Sequence, residues 1–560
     1  MINKVLLYSS IAVVYLRLFL PSILKQHYPQ IAEELTGLII VSLIYVMGIV
    51  MAIKLYMNRQ SIGRHGFEWP LGLLVLASAA SLSYSCYQAG SIVDGMQTVA
   101  YIVYFLILFV LFQTAQARKN FLYAFVAALA LIGVTALIEW FQPSSSYLHG
   151  TDRPVDVQLA YHRVGSVFNA PNVFAGFLML VLPLMAALFL SVQVQWQRML
   201  IACLILVLLT AWVMTLSLLC TLSVGLVTLV FAPWLMKSWF NRHLNPRIYV
   251  GMLLSALALI AVILFVRSDF SVEARLSYLS AAVESLKLYW LQGSGADTFK
   301  FLSTAYTENN SYSGYVHNSY LQIWLETGLL GLIAIILFLA AWGRKLIQVL
   351  SIKSTEASAK ILLGLGLGLT AFYVDNLTNF TLLSKDVSLF AWIALSAVCA
   401  LMLKPEAVRT DAKGIAGRFM IGMMAAVLLG ALLFQSVFLI GATLRYQQAM
   451  RWLEKKDFIK ADQLLQEARD LDGHNQFYPA AQGMAYAARY RQSKDRRLLA
   501  KAEARFLEAA VECPFYYMNY VMLAYLAKEE QDLVKQKIYL SRVAQLCPVR
   551  YDSLRVELGL

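Results

Sequence analysis

Charged side chains are scarce in this sequence. Asp, Glu, Lys and Arg make up only 14% of its 560 residues, whereas 59% are hydrophobic and the mean hydropathy is positive. A soluble globular protein of this length needs a more polar surface, so that class is excluded and the composition predicts a polytopic membrane protein. Cysteine is sparse as well, and four of the six cysteines lie in apolar runs, where they behave as small hydrophobes. The four are Cys86, Cys203, Cys220 and Cys399, and the two in a polar region are Cys513 and Cys547.

Apolar runs fill most of the first 440 residues. A helix needs about 20 apolar residues to cross a hydrocarbon core about 30 Å thick. The run from Val5 has no small-residue cleavage pattern after it, so it predicts a first span and not a signal peptide. An apolar block at 199–236 is divided at 215–221, where small polar residues favour a turn. We predict about thirteen spans, at 5–24, 35–57, 71–85, 96–112, 121–141, 173–192, 199–215, 218–236, 248–266, 320–342, 361–380, 387–403 and 419–440.

The basic residues are distributed unevenly between the loops on the two sides of the membrane. With the N-terminus in the cytoplasm, most Lys and Arg of the loops between spans fall in inner loops, as cytoplasmic loops favour. Most of the net charge of +13 is therefore explained by topology, and no nucleic-acid partner is expected. The outer loops carry Lys25, Arg153, Arg163 and Lys385, together with the cations of the loop that contains Arg275.

Residues 441–560 differ from the rest of the chain. They are rich in alanine and charge, with apolar positions at helical spacing. Cys513-Pro514 recurs as Cys547-Pro548, 34 residues later, which is the tetratricopeptide period, and Leu471-Asp472 is a looser counterpart. We predict an α-helical tetratricopeptide-like domain outside the cytoplasm, with the two repeat-equivalent cysteines too far apart for a disulfide. Such a domain would hold a protein partner or an acceptor.

A polar loop at 267–318 separates two long apolar runs, and loops of this length are frequent sites of function. His317 lies where this loop meets the next predicted span, and Arg275 lies within the loop. Arg163 precedes another span on the same predicted face. We expect these three side chains to form one site on a membrane domain at 1–440.

Two sets of motifs carry a family resemblance. The first is R-x-G-x-x-x-N-x-P-N, at Arg163, Gly165, Asn169, Pro171 and Asn172. The second comprises Arg275, Gly293-Ser294-Gly295, Phe299, His317, Asn318, Leu321, Glu326 and Gly328. Their order resembles that of the O-antigen ligase and O-antigen polymerase family of bacterial membrane glycosyltransferases, over roughly residues 71–403. The family commonly carries Ser-Arg-Gly after the tight outer turn, where this sequence has Ser217 and Ser223 without an arginine.

The resemblance implies an enzyme of the bacterial cytoplasmic membrane that moves a glycan from an undecaprenyl-diphosphate carrier to an acceptor at the outer leaflet. It implies no cofactor and no metal, and an inverting transfer. Arg275 would bind the diphosphate, because arginine makes bidentate phosphate contacts. His317 would be the base, kept neutral by Arg275 and by the positive end of its own helix. Arg163, Asn172, Asn318 and Glu326 are further substrate-binding candidates.

Structural explanations stay open for each of these residues. Arg275 and Arg163 can be cations that reach the headgroups or set helix depth, and His317 can cap a helix. Glu326 would lie about 13 Å along its helix, so it needs a partner. Asp375, followed by Asn376 and Asn379, likewise needs a partner near the outer end of its span. Three tyrosines can stack on sugars or mark the interface, namely Tyr306, Tyr312 and Tyr315.

The predicted function is therefore O-antigen-ligase-like transfer of an oligo- or polysaccharide to a glycan, lipid or protein acceptor. Membrane lipids are expected to surround the protein. The nearest alternative is a polymerase that joins lipid-linked repeat units, and transfer to a protein is another. Two non-enzyme alternatives are a transporter of lipid-linked glycans and a scaffold for envelope glycan assembly. A transporter would need polar residues along most spans, whereas the charges here concentrate on one face.

Overall fold

The structure, a computed structural model, describes residues 1–28, 31–58, 60–141, 163–168, 170–235, 270–306, 313–352, 356–402, 408–410 and 415–557. Helices account for most of these residues, which confirms the all-α prediction. The described part also contains two three-residue strands, β1 (Gln60–Ile62) and β2 (Val408–Thr410), which pair antiparallel.

The helices of the membrane domain are α1 (Ile2–Lys25), α2 (Ala32–Met57), α3 (Glu68–Leu82), α4 (Gln88–Leu111), α5 (Ala115–Phe141), α6 (Pro171–Ser191), α7 (Gln195–Thr215), α8 (Leu218–Leu235), α9 (Phe270–Tyr289), α10 (Phe299–Leu302), α11 (Ser319–Leu350), α12 (Ala357–Asp375), α13 (Lys385–Met402) and α14 (Ile415–Glu454). After them come α15 (Phe458–Leu471), α16 (Phe477–Ser493), α17 (Arg496–Glu512), α18 (Tyr517–Glu529), α19 (Leu533–Leu546) and α20 (Tyr551–Glu557).

Ten helices in the described part are long and apolar enough to cross a membrane, namely α1, α2, α4 to α7 and α11 to α14. Each corresponds to a predicted span. The predicted spans at 71–85 and 218–236 fall on α3 and α8, which contain shorter apolar stretches. At 1.5 Å per residue, the 15 residues of α3 reach only about 22 Å. The span at 248–266 lies outside the described residues, so the count of thirteen stays a prediction.

The apolar block at 199–236 is divided where the sequence predicts. Helix α7 ends at Thr215, Leu216 has a left-handed backbone with φ of 48°, and α8 begins at Leu218. Left-handed residues commonly end helices, although glycine is the usual choice. This turn brings the start of α8 against the start of α6.

Close packing of α6 against α12 fixes the geometry of the site. A Cβ on Gly368 would lie 2.4 Å from the Leu180 carbonyl oxygen, and one on Gly364 would lie 2.6 Å from that of Pro183. Glycines four residues apart let helix backbones approach in membranes. The packing holds Asp375, at the end of α12, near the first turn of α6.

One end of the bundle gathers the loops that carry the predicted site. The Cys86 amide, after α3, donates to the Ser294 carbonyl at 3.0 Å. The Ser319 amide, at the start of α11, donates to the Asn376 carbonyl at 3.0 Å. We call this end the site end. At the opposite end, the Lys345 side chain lies 3.6 Å from the place a Cβ on Gly66 would take.

The C-terminal helices continue directly from α14, and each packs on the next along the chain. Asp472, Cys513 and Cys547 follow three of these helices with nearly the same extended backbone, and both cysteines are free thiols. The recurrence supports a helical repeat, and the tetratricopeptide assignment stays a prediction. We call residues 455–557 the helical domain.

The helical domain packs on the site end. The Phe301 ring, on α10, meets Tyr87 at 5.0 Å and Tyr516 at 5.6 Å between centroids. Lys300 lies over the Tyr87 ring at 5.1 Å. The helical domain and the segments 290–306 and 313–318 are therefore on the same side of the bundle.

Candidate functional site

Arg275 and His317 come together through an aromatic residue. Arg275 and Tyr278 lie three residues apart on α9, and hence on one face of the helix. The Tyr278 ring stacks on the His317 imidazole, with centroids 5.7 Å apart and planes 17° apart. Phe380 meets the same imidazole edge-on at 4.9 Å. The imidazole is thus held between two aromatic rings, beside the helix that carries Arg275.

The surroundings of His317 keep its ring neutral. Burial and, second to it, the charge of Arg275 lower the pKa of His317 from 6.5 to about 3. Its Nδ1 is buried and has no hydrogen-bond partner among the described residues. The backbone of His317 is left-handed, with φ of 59°, and Asn318 begins the helix that follows. Nδ1 therefore keeps an unused hydrogen-bonding capacity within the described part of the chain.

Arg275 is a half-buried cation. Burial lowers its pKa, and the charge of Arg163 acts in the same direction, whereas Asp375 opposes it. An arginine stays protonated under such a shift. No described residue forms a salt bridge with Arg275. This cation is therefore placed to meet an anion that comes from outside the chain.

Arg163 and Asn172 hold the helix starts together. Arg163 Nε donates to the Thr215 carbonyl at 2.8 Å, and its Nη2 donates to Asn172 Oδ1 at 2.6 Å. Ser217 Oγ donates to the same Asn172 oxygen at 3.2 Å. Pro171 occupies the first helical turn of α6, where its missing N–H costs nothing. The first motif therefore ties α6 to the turn between α7 and α8, and its Asn169 lies outside the described residues.

The side chains of Asn318 and Glu326 each accept a hydrogen bond from a backbone amide. Asn318 Oδ1 caps α11 by accepting from the Leu321 amide at 3.0 Å. Glu326 Oε1 accepts from Gln322 Nε2 at 3.0 Å and from the Phe299 amide at 3.3 Å. The structure brings Glu326 not to His317 but to a separate cavity that Asp94 also lines.

The glycines of the second motif fit one backbone against another. Gly328 interrupts α11 with φ of 69° and ψ of −163°. A Cβ there would lie 2.3 Å from the Leu291 carbonyl oxygen, and one on Gly293 would lie 2.5 Å from that of Glu326. The Leu329 amide donates to the Leu291 carbonyl at 3.0 Å. The break in α11 thus receives the turn after α9 and fixes the position of α9.

Asp375 completes the site. It is fully buried, its Oδ1 lies 3.5 Å from Ser223 Oγ, and its Oδ2 has no hydrogen-bond partner among the described residues. Asn379 Nδ2 donates to Cys220 Sγ at 3.5 Å. The Asp-Asn-x-x-Asn spacing signals a polar helix end, but Ser223 and Cys220 reach it only through the packing of α8 on α12. The first turns of α8 therefore pack beside the buried carboxyl group at the end of α12.

The tyrosines of the loop differ in their positions. Tyr315 stacks on Phe380 with centroids 4.2 Å apart and planes 9° apart, so its ring helps to hold the wall behind His317. Tyr306 is half-buried and packs with the cluster around Tyr278, and Tyr312 lies outside the described residues. Within the described ranges, no three His, Cys, Asp or Glu side chains are grouped to hold a metal ion.

The fold and the site define a multi-pass membrane protein with two arginines, a neutral histidine and a buried carboxyl group at one end of its bundle. Residues 173–336 match the family model described as O-antigen ligase, so this part of the chain carries an O-antigen ligase domain. The match runs from the first turn of α6 into α11, includes Arg275 and His317, and begins after Arg163. It supports a glycan-transfer role at the membrane and a glycosyltransferase-like enzyme with lipid-linked glycan substrates. Comparison with curated proteins and with solved structures finds no match.

Proposed function

We propose that the protein transfers an oligo- or polysaccharide from undecaprenyl diphosphate to an acceptor hydroxyl at the outer face of the bacterial cytoplasmic membrane. The observation that carries the proposal is the stack of Tyr278 on His317 beside Arg275, inside the O-antigen ligase domain. It sets a cation without a described salt-bridge partner next to a neutral imidazole with a free nitrogen.

The diphosphate is the leaving group. In one inverting displacement, the acceptor oxygen bonds to the anomeric carbon while the bond from that carbon to the diphosphate oxygen breaks. Arg275 stabilises the negative charge that develops on the diphosphate, and the N-terminal end of α8 adds the partial positive charge of a helix start. Preorganised charges of this kind act strongly in a buried site, because little solvent has to reorganise.

His317 takes the acceptor's proton. Burial and the charge of Arg275 hold its pKa at about 3, which makes it a weak base. A bound diphosphate offsets the charge of Arg275, so donor binding raises the pKa of His317 toward the range where general-base catalysis is efficient. The reaction then needs neither a nucleotide sugar nor a metal. Arg163 and Asn172 position the first turns of α6 and α8 around the donor.

The site end and the helical domain face outward in this proposal. Basic residues concentrate in the loops of the opposite end, including Arg64, Arg118 and Arg344, as cytoplasmic loops favour. The helical domain, packed beside α10, lies where it can hold the acceptor or a protein partner. The acceptor can be a lipid, a glycan or a protein.

The test is to delete the gene and restore it with wild-type, Arg275→Lys or His317→Ala protein, then analyse surface glycans and carrier-linked intermediates together. A ligase predicts long chains that accumulate on the carrier. Single repeat units on the carrier would assign polymerase activity instead. Unchanged surface glycans and carrier pools in the deletion strain would overturn both.

A further inference from the structure

A large cavity lies at the opposite end of the bundle from His317, and the proposed reaction does not use it. Its volume is about 440 Å³, and it is lined by the junction of α4 and α5, the C-terminal end of α6, the start of α12 and one face of α13. Ligand sites commonly have volumes of about 300–1,000 Å³. The cavity is therefore large enough for a molecule of more than a few atoms.

The walls of this cavity are apolar. Phe125 and Phe390 contact each other across it, with ring centroids 6.0 Å apart, and Leu184, Ile361 and Ile393 line it further. Because these residues belong to four different membrane helices, the cavity is a gap in helix packing at membrane depth. Such walls suit hydrocarbon chains and offer little to a sugar.

The charged residues that line the cavity are both cations. Arg118 and Lys119, near the start of α5, are joined there by Ser191, Gln197 and Ser358, and none of the acidic residues that the structure describes lines the cavity. The Arg118 guanidinium donates to the Phe112 carbonyl, and Lys119 lies over the Tyr123 ring at 5.7 Å. A third cation, Arg198, packs over the Phe189 ring at 4.5 Å near Gln197. Glu356 adjoins Ala357 in sequence but does not line the cavity.

We propose that this cavity is a binding site for an anionic phospholipid, with an acyl chain between α5, α6 and α13 and the phosphate at Arg118 and Lys119. Basic pockets between membrane helices on the cytoplasmic side recognise anionic head groups. The apolar interior of the cavity would hold the acyl chain. The lipid fills the gap beside Phe125 and Phe390 and so links α5 to α13. The site does not depend on the proposed transfer reaction.

The experiment uses the full-length protein in detergent micelles, freed of bound lipid, with native mass spectrometry to measure lipid binding. The probes are phosphatidylglycerol, phosphatidylcholine and undecaprenyl phosphate. Each cation near an anionic head group is worth roughly a fivefold change in affinity, so Arg118→Gln with Lys119→Gln should weaken phosphatidylglycerol binding about 30-fold. The control removes two exposed cations from the same end, Arg64→Gln with Arg344→Gln, and should bind as the wild type does.

A second variant tests the apolar part. Ala397→Trp places a large side chain in the cavity and should reduce binding while both cations remain. If the Arg118 change prevents folding, Lys119→Gln alone and Ala397→Trp decide the question. Equal affinity for phosphatidylcholine and phosphatidylglycerol, or wild-type binding by these variants, would overturn the site. Displacement of phosphatidylglycerol by equimolar undecaprenyl phosphate would reassign it to the polyprenyl carrier.

Discussion

The phenol ring of Tyr278 lies nearly parallel to the imidazole of His317, with centroids 5.7 Å apart. Tyr278 follows Arg275 by about one turn of α9, so this contact couples the place of the proposed base to that of the proposed diphosphate ligand. Helix α9 is held in turn by the fit of Gly293 against Gly328. The positions of Arg275, Tyr278 and His317 therefore depend on one another and on the interruption of α11 at Gly328.

Removal of the imidazole should abolish most transfer. General-base catalysis typically contributes 10²- to 10⁴-fold, so His317→Ala should lose activity in that range while it still binds the donor. Transfer by the purified protein and binding of a donor analogue are measured separately. His474→Ala in the helical domain is the matched control and should keep full activity. A His317→Ala enzyme with undiminished transfer would leave the histidine a structural role.

The pH profile should separate the free enzyme from the donor complex. Because a base must be unprotonated, activity falls as the pH drops through the pKa of His317. For kcat/KM, which reports the free enzyme, the acid limb should lie near the pKa of about 3. For kcat the limb should lie at higher pH, because the bound diphosphate offsets Arg275 and raises that pKa. If Asp375→Asn rather than His317→Ala removes the limb, the carboxylate is the base.

The substitution Arg275→Lys keeps the positive charge but removes the planar guanidinium, which can donate two parallel hydrogen bonds to a phosphate. If the diphosphate contact is bidentate, the loss is that of a charge-assisted hydrogen bond, about 1.5–3 kcal/mol, or roughly 10- to 150-fold in kcat/KM. Lys287→Gln, an exposed cation on the same helix, is the control. Wild-type kcat/KM in the Lys variant, at equal protein levels, would assign Arg275 to headgroup contact.

Local patterns in the sequence predict a good part of this fold. Hydropathy places the ten long helices, and the small polar residues at 215–221 place the break between α7 and α8, because both depend on neighbours in the chain. Arg275 and His317 also lie in one loop between two predicted spans, so the sequence predicts that both are at the same face of the membrane.

Other features depend on contacts between distant segments. Asp375 meets Ser223 only through the packing of α8 on α12, which no local pattern in the chain indicates. The partner of Glu326 includes the Phe299 amide, 27 residues away in the chain, which no helical periodicity indicates. Motif positions that suggest substrate contacts, such as Asn318, can serve the backbone instead, because a cap and a ligand need the same side-chain oxygen.

The ion pair of Arg17 with Asp386 should be important for stability. Arg17 lies within α1 with its side chain only 3% exposed, and it pairs with Asp386 at the start of α13. Removal of one partner leaves a buried charge uncompensated, which typically costs about 3–5 kcal/mol. Asp386→Asn leaves the buried Arg17 charge without this partner and should therefore lower the thermal unfolding midpoint sharply. Arg17→Met with Asp386→Asn should recover much of the loss, and no recovery would show that the two residues are not energetically coupled.

The site end and the helical domain should both face away from the cytoplasm. The ring contacts of Phe301 with Tyr87 and Tyr516 place the domain at the site end, and the basic loops lie at the other end. Single cysteines at Lys494 and at Arg64, both exposed, test this with a membrane-impermeant maleimide. Lys494→Cys should be labelled in spheroplasts, and Arg64→Cys only after lysis. The wild-type protein, whose exposed Cys203 thiol sets the background labelling, is the control for both. The reverse labelling pattern would place the transfer site in the cytoplasm and exclude an outer-leaflet acceptor.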